Sequence, residues 1–260
     1  MRRLPHDYPW TTTPEPGILD RGRFHADTDP LRGLDLRGRR AVVAVGSNAA
    51  PAVLAAKLPD ARIPLLPAVI TDLAVGHSAH VSLAGYIAAA PYPCPGARTP
   101  VMVSWLEETA LAALDATEPN YTRVTVGSVG GELQVEPALH PGEVDLYVST
   151  HGVVGVEEPL ALTTQADLFT VLSRTPGLAS ALSGEVSDVC ARLAGDAELR
   201  ATVTGRLPRW TPDPPAGRGE DRPRPPRRVG TGAGVGRWRT PPIALAGGPC
   251  DQAVDGPITP

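Results

Sequence analysis

The chain has 260 residues, 42% of them hydrophobic and 20% charged, which allows one globular unit of ordinary size with non-globular flanks. A net charge of −4 gives no general attraction to nucleic acid or to an anionic membrane, and no stretch approaches the ~18 apolar residues of a membrane span. Aromatic residues make up only 4%, so the core has to be built from Val, Leu, Ala and Ile. Charge is unevenly spread. Residues 206–260 hold nine Arg against five acidic residues, leaving −8 for the first 205. Lys57 is the only lysine, an Arg-for-Lys usage expected of a GC-rich bacterial coding sequence. Cys94, Cys190 and Cys250 are far apart and show no C-x-x-C spacing, so neither a disulfide framework nor a zinc site is predicted and a reducing compartment fits best. Arg2 and Arg3 are followed by Pro5, His6, Asp7 and Pro9 in place of an apolar signal core. The expectation is a cytoplasmic protein.

Residues 1–40 mix charge, Pro and Gly without a sustained apolar period and read as an irregular N-terminal arm. Order is expected from Ala41-Val42-Val43-Ala44-Val45, a β-prone run that Gly46 ends. Pro51 suits the first turn of a helix running to about Leu58, with Ser47 or Asn48 as its cap. From Ile63 to about Tyr92 two or three strands are expected, followed by a clearer strand from Val101 to Leu106. Glu107 to Ala116 has one apolar face, with acidic residues in its first turn, and predicts a helix that Pro119 stops. Tyr121 to Val129 reads as a strand, Gly130-Gly131 as a turn, Glu132 to Val135 as a return strand, and Glu143 to Ser149 as another strand. Two helical patterns follow, one after Thr163-Thr164 and one from Glu185 to Leu199. The segment beyond Leu207 holds twelve Pro and too little apolar surface to offset chain entropy.

The expected fold class is therefore α+β: a small mixed β-barrel or sheet with two helices, a C-terminal helical appendage and a disordered tail. The expected division is 1–40 for the arm, 41–160 for the α+β domain, 161–207 for the appendage and 208–260 for the tail.

Two segments carry the functional signal. Val45-Gly46-Ser47-Asn48 places backbone N–H groups and polar side chains at a strand-to-helix turn. Leu114-Asp115-Ala116-Thr117-Glu118 ends a helix in a carboxylate, with Tyr121-x-Arg123 on the strand that follows. If the fold brings them together, the turn amides hold an oxyanion or a carboxylate while Glu118 moves a proton. On these residues and their order the chain resembles the γ-glutamylcyclotransferase-like proteins over about Ala41 to Ser149. The resemblance implies a small barrel-like domain, a substrate-cradling turn at Gly46, Ser47 and Asn48, and Glu118 as catalytic acid/base. It also implies Val45, Tyr121 and Tyr147 as substrate-binding positions. Two residues depart from the family pattern: Val45 stands where the family has Tyr, and Pro119 replaces a common Gly.

The implied reaction is attack of a γ-glutamyl α-amino nitrogen on its own γ-carbonyl, giving 5-oxoproline and a released amine. It takes a small γ-glutamyl substrate and requires neither metal nor nucleotide cofactor, and no nucleic acid or membrane partner is implied. The turn donors suit the oxyanion or the substrate carboxylate equally. The alternatives are a non-catalytic binding module on the same fold, or a serine hydrolase using Ser47 at a strand-to-helix turn, although the G-x-S-x-G pattern is absent. His77 and His80 fall on opposite faces of a strand and predict no metal site. Asp115 reads as structural, making local hydrogen bonds at the end of its helix, and the Arg-rich tail as solvated.

Overall fold

The computed structural model describes residues 3–10, 15–127 and 143–210. Within the expected arm, β1 (Gly17–Asp20) and β2 (Arg23–Ala26) form a hairpin through Arg21 and Gly22, both at positive φ. The hairpin is regular structure within the segment expected to be irregular. Leu19, fully buried, packs into a core cluster with Leu54 and Ile63, which fixes the hairpin to the sheet. Arg-Gly is a weak turn signal beside Asn-Gly, so pattern alone did not reveal the hairpin.

β3 (Arg39–Ala44) explains its own unbroken apolar run. Ala41 and Val43 point into one core cluster, while Val42 and Ala44 point into another. A strand buried on both faces has no polar side to show. After a short 3-10 turn at Ser47–Ala49, α1 (Pro51–Lys57) starts with Pro51 in its first turn, as expected, but its N-cap is Ala50 with no side-chain cap bond. Neither Ser47 nor Asn48 caps it; the Asn48 side chain is used elsewhere.

β4 (Arg62–Val81) and β5 (Ile87–Glu107) are two long strands of 20 and 21 residues, in place of the expected short series. Register shifts between Thr71 and Leu73 and between His77 and Val81 bend this ribbon, as bulges do. Gly85, in the turn joining them, has φ +85 and sits where a Cβ would meet the Cys190 carbonyl oxygen at 2.0 Å, so only glycine fits.

α2 (Glu108–Ala116) buries Leu111 and Leu114 against the sheet. β6 (Tyr121–Gly127) then pairs antiparallel with β7 (Glu143–Ser149). The predicted turn at Gly130-Gly131 and the return strand Glu132 to Val135 lie outside the described residues. The sheet path is β2-β1-β4-β5-β3-β7-β6, antiparallel except where β3 meets β7. It is an open mixed sheet, and the class is α+β.

β8 (Val153–Val154), α3 (Gln165–Leu172), α4 (Ala179–Leu182), α5 (Val186–Gly195) and α6 (Ala197–Arg206) follow. Two of these helices carry polar caps: Thr164 accepts from the Asp167 N–H and Asp196 from the Leu199 N–H. Leu168, Leu172, Val189, Leu193 and Val203 pack with Ala79, Val81 and Ile87 at the far end of the β4–β5 ribbon. Each fully buried Leu there contributes roughly 1.5–3 kcal/mol. β9 (Arg209–Trp210) pairs with β8. Order therefore runs past the boundary drawn at residue 208, and the rest of the predicted tail lies outside the described residues.

Cys190 is free and buried. Among the described residues no helix is long and apolar enough to cross a membrane.

Candidate functional site

The end of β3 and the end of α2 arrive at the same place. β3 delivers Val45 to Asn48, and the turn after α2 delivers Glu118. Both segments line one cavity of about 340 Å³. All seven residues singled out from the sequence line it: Val45, Gly46, Ser47, Asn48, Glu118, Tyr121 and Tyr147.

At its centre Asn48 Nδ2 donates to Glu118 Oε1 at 2.8 Å. Lys57, at the end of α1, donates from Nζ to Asn48 Oδ1 at 2.8 Å and to Glu118 Oε1 at 2.5 Å. Lys57 and Glu118 side chains are 20% and 12% exposed, so this pair is shielded more than an ordinary surface ion pair. Both contacts fall on Oε1, and Glu118 Oε2 has no hydrogen-bond donor among the described residues.

Four tyrosines line the same cavity: Tyr8, Tyr86, Tyr121 and Tyr147. Burial, with the Glu118 charge adding to it, pushes Tyr86 up to about 12. Burial also raises Tyr8, Tyr121 and Tyr147, again with a contribution from Glu118. All four remain phenols at neutral pH. Tyr121 Oη donates to the Ala89 carbonyl at 2.9 Å, and Tyr147 Oη donates to Asp115 Oδ1 at 2.7 Å.

Asp115 belongs to a charge network behind the wall, with partners farther along the chain than the local ones expected. Arg123 donates to both its oxygens, at 2.9 and 3.0 Å, and to Asp145 Oδ2 at 2.7 Å. Asp145 has no side-chain exposure and also accepts from Arg40 and Thr125, each at 2.7 Å. Burial opposes ionisation of both carboxyls, but the Arg partners, aided by Tyr147 and Thr125, hold them below their usual values. The network fixes the hydroxyl of Tyr147, leaving its ring as the cavity wall.

His80 also lines the cavity. Its Nδ1 lies 2.5 Å from Ser78 Oγ, which lies 2.6 Å from Ser149 Oγ. Burial, with His151 nearby, lowers it to about 4, so it is a neutral ring at physiological pH. His77 Nε2 instead accepts from the Thr163 N–H. No cluster of metal-ligating side chains occurs among the described residues. No imidazole is hydrogen-bonded to Ser47 among the described residues.

Sequence reading missed Lys57 and Tyr8. Lys57 had a signal, being the only lysine, but nothing in its spacing tied it to Glu118. Tyr8 had none, because it lies in a segment without period and reaches the site only through tertiary packing.

No protein-family model matches the chain, and no curated protein matches it. Solved structures do. A solution structure of an Arabidopsis thaliana protein shares 23% identity over 44% of this chain and 70% of its own, at a TM-score of 0.34. An uncharacterized Homo sapiens protein shares 14% over 67% and 92%, at 0.36. A γ-glutamyl cyclotransferase shares 13% over 68% and 92%, at 0.35. The chain is thus similar to structures that include a cyclotransferase.

Proposed function

We propose that this protein is a γ-glutamylcyclotransferase-like enzyme that releases 5-oxoproline from a small γ-glutamyl substrate. The observation that carries the reading is the placement of Glu118, bonded to Asn48 and lining the cavity that the Gly46–Asn48 turn also lines. The substrate α-ammonium must lose a proton before its nitrogen can attack, and Glu118 Oε2 is the acceptor in place. The nitrogen then bonds to the γ-carbonyl carbon, and the C=O electron pair moves onto oxygen. Collapse of that intermediate breaks the bond to the leaving nitrogen. Two of the three ammonium protons end on the departing amine, relayed by Glu118, and no water is consumed. Backbone donors of the turn offset the oxyanion charge.

Purified protein is expected to release 5-oxoproline from a panel of γ-glutamyl amines and peptides, and Glu118→Gln to lose about 10²- to 10⁴-fold in kcat. A panel with no product rejects the activity. Full turnover by Glu118→Gln rejects the role of Glu118.

A second reading, a binding module for a small carboxylate or amide without turnover, draws support from Lys57, whose Nζ engages Glu118 Oε1 directly. In that reading Glu118 is a fixed anchor. Ligand binding that survives Glu118→Gln with no product by mass spectrometry favours it.

A further inference from the structure

Tyr8 is 2% exposed although it lies in the first ten residues. Its ring stacks on Tyr86 at 4.6 Å and meets Trp10 edge-on at 5.1 Å. Its carbonyl accepts from the Gln165 N–H at 3.2 Å. Gln165 is itself fully buried and brackets Ile87, accepting from its N–H at 2.7 Å and donating to its carbonyl at 3.0 Å. The helical appendage therefore clamps Tyr8 in place.

The hydroxyl of this clamped residue lies at the turn. A Cβ on Gly46 would come within 3.0 Å of Tyr8 Oη. Tyr8 also lines both the 340 Å³ cavity and a neighbouring one of about 230 Å³, which share Trp10 and residues 44–47 as well. A phenol has one proton to give and lone pairs that accept. Tyr121 donates its proton to the Ala89 carbonyl and Tyr147 donates to Asp115. Tyr8 is different: its oxygen accepts from the Ala89 N–H at 2.8 Å, and its proton has no acceptor among the described residues. The Ala89 bond consumes an acceptor site and leaves the donor available.

We infer that the Tyr8 hydroxyl is a hydrogen-bond donor to the carbonyl oxygen of the bound substrate, completing the set of donors at the Gly46–Asn48 turn. The inference rests on the cyclisation reading for its catalytic consequence. No proton is transferred. The hydroxyl donates more strongly as charge builds on the oxygen in the tetrahedral intermediate, and burial keeps the phenol protonated throughout. Tyr8 is then a catalytic residue supplied by the N-terminal segment, and the aromatic wall absent at Val45 is provided from elsewhere in the chain.

The test compares wild type with Tyr8→Phe, which keeps the ring stacked on Tyr86, after thermal unfolding has checked that both fold. The expected result is a loss of about 10²- to 10³-fold in kcat with KM changed only a few-fold. An unchanged kcat overturns the inference. If the wild type turns over no γ-glutamyl substrate, the cyclisation reading has failed on its own, and binding of 5-oxoproline decides the donor role by calorimetry. Binding weakened ten-fold or more by Tyr8→Phe supports it, whereas equal binding, or no binding by wild type, overturns it. Should Tyr8→Phe not fold, a fluorinated tyrosine at position 8 supplies the measurement in the full chain. Its more acidic phenol moves the alkaline limb of the pH–rate or pH–binding profile to lower pH if Tyr8 is the donor, and an unmoved limb overturns the inference.

Discussion

Asn48 and Glu118 stand 70 residues apart in the chain, and Asn48 Nδ2 donates a 2.8 Å hydrogen bond to Glu118 Oε1. Lys57 closes a triangle by donating to both. The strand-end turn and the helix-end carboxylate are thereby one unit: a change in either segment moves the other.

Asn48→Ala removes one donor to the carboxylate and leaves Lys57 as its remaining protein donor among the described residues. Loss of position at a reacting group is expected to lower 5-oxoproline release by about 10²-fold. The assay is kcat under saturating substrate, and an Asn48→Ala enzyme at wild-type rate rules out this positioning role.

Lys57→Met leaves Glu118, 12% exposed, with one charge-assisted bond fewer. A loss of about 2 kcal/mol in unfolding free energy is expected. In a Glu118→Gln background the same substitution is expected to cost markedly less, because the ion pair is already gone. Equal costs in the two backgrounds, read from urea midpoints at unchanged m, contradict a direct Lys57–Glu118 coupling.

Asp145 has no side-chain exposure, and Arg40 and Arg123 both donate to it at 2.7 Å. Asp145→Asn removes the charge that balances two guanidinium groups and is expected to cost about 3–5 kcal/mol. Arg123 also holds Asp115, which accepts from Tyr147. The substitution should therefore blunt activity as well as stability, and a stable, fully active Asp145→Asn protein refutes the network.

His77 and His80 have folded-state values of about 4 against an ordinary 6.5, because burial disfavours the charged ring. Between those values the unfolded chain takes up protons that the folded chain does not, so stability is full above pH 6.5 and falls as the pH drops towards 4. Each histidine contributes on the order of 3 kcal/mol to this loss. Urea unfolding at stepped pH is expected to show it, and His77→Gln should flatten part of the slope. Midpoints constant from pH 7 to 4.5 contradict it.

What was legible in the chain was local. The apolar run from Ala41 to Ala44, the turn at Gly46, the Pro51 helix start and the α2 helix followed from period and turn chemistry, and each occurs where that chemistry puts it. The β1–β2 hairpin was not legible, because Arg-Gly carries little turn preference and Leu19 becomes core only when β4 arrives to cover it. Nor was the length of β4 and β5, since bulges and a positive φ at Asp72 interrupt the alternation that marks a strand.

The sequence by itself determined which residue types stand at the two motif segments, and with them that a carboxylate and a donor-rich turn were available. Only the tertiary structure decided that they share a cavity, that Lys57 bonds to both, and that Tyr8 comes up beside Gly46. The reason is physical: turn and helix signals act over a few residues, whereas these contacts span 9 to 81 positions. They exist only once the sheet order and the packing of the appendage have placed their backbones.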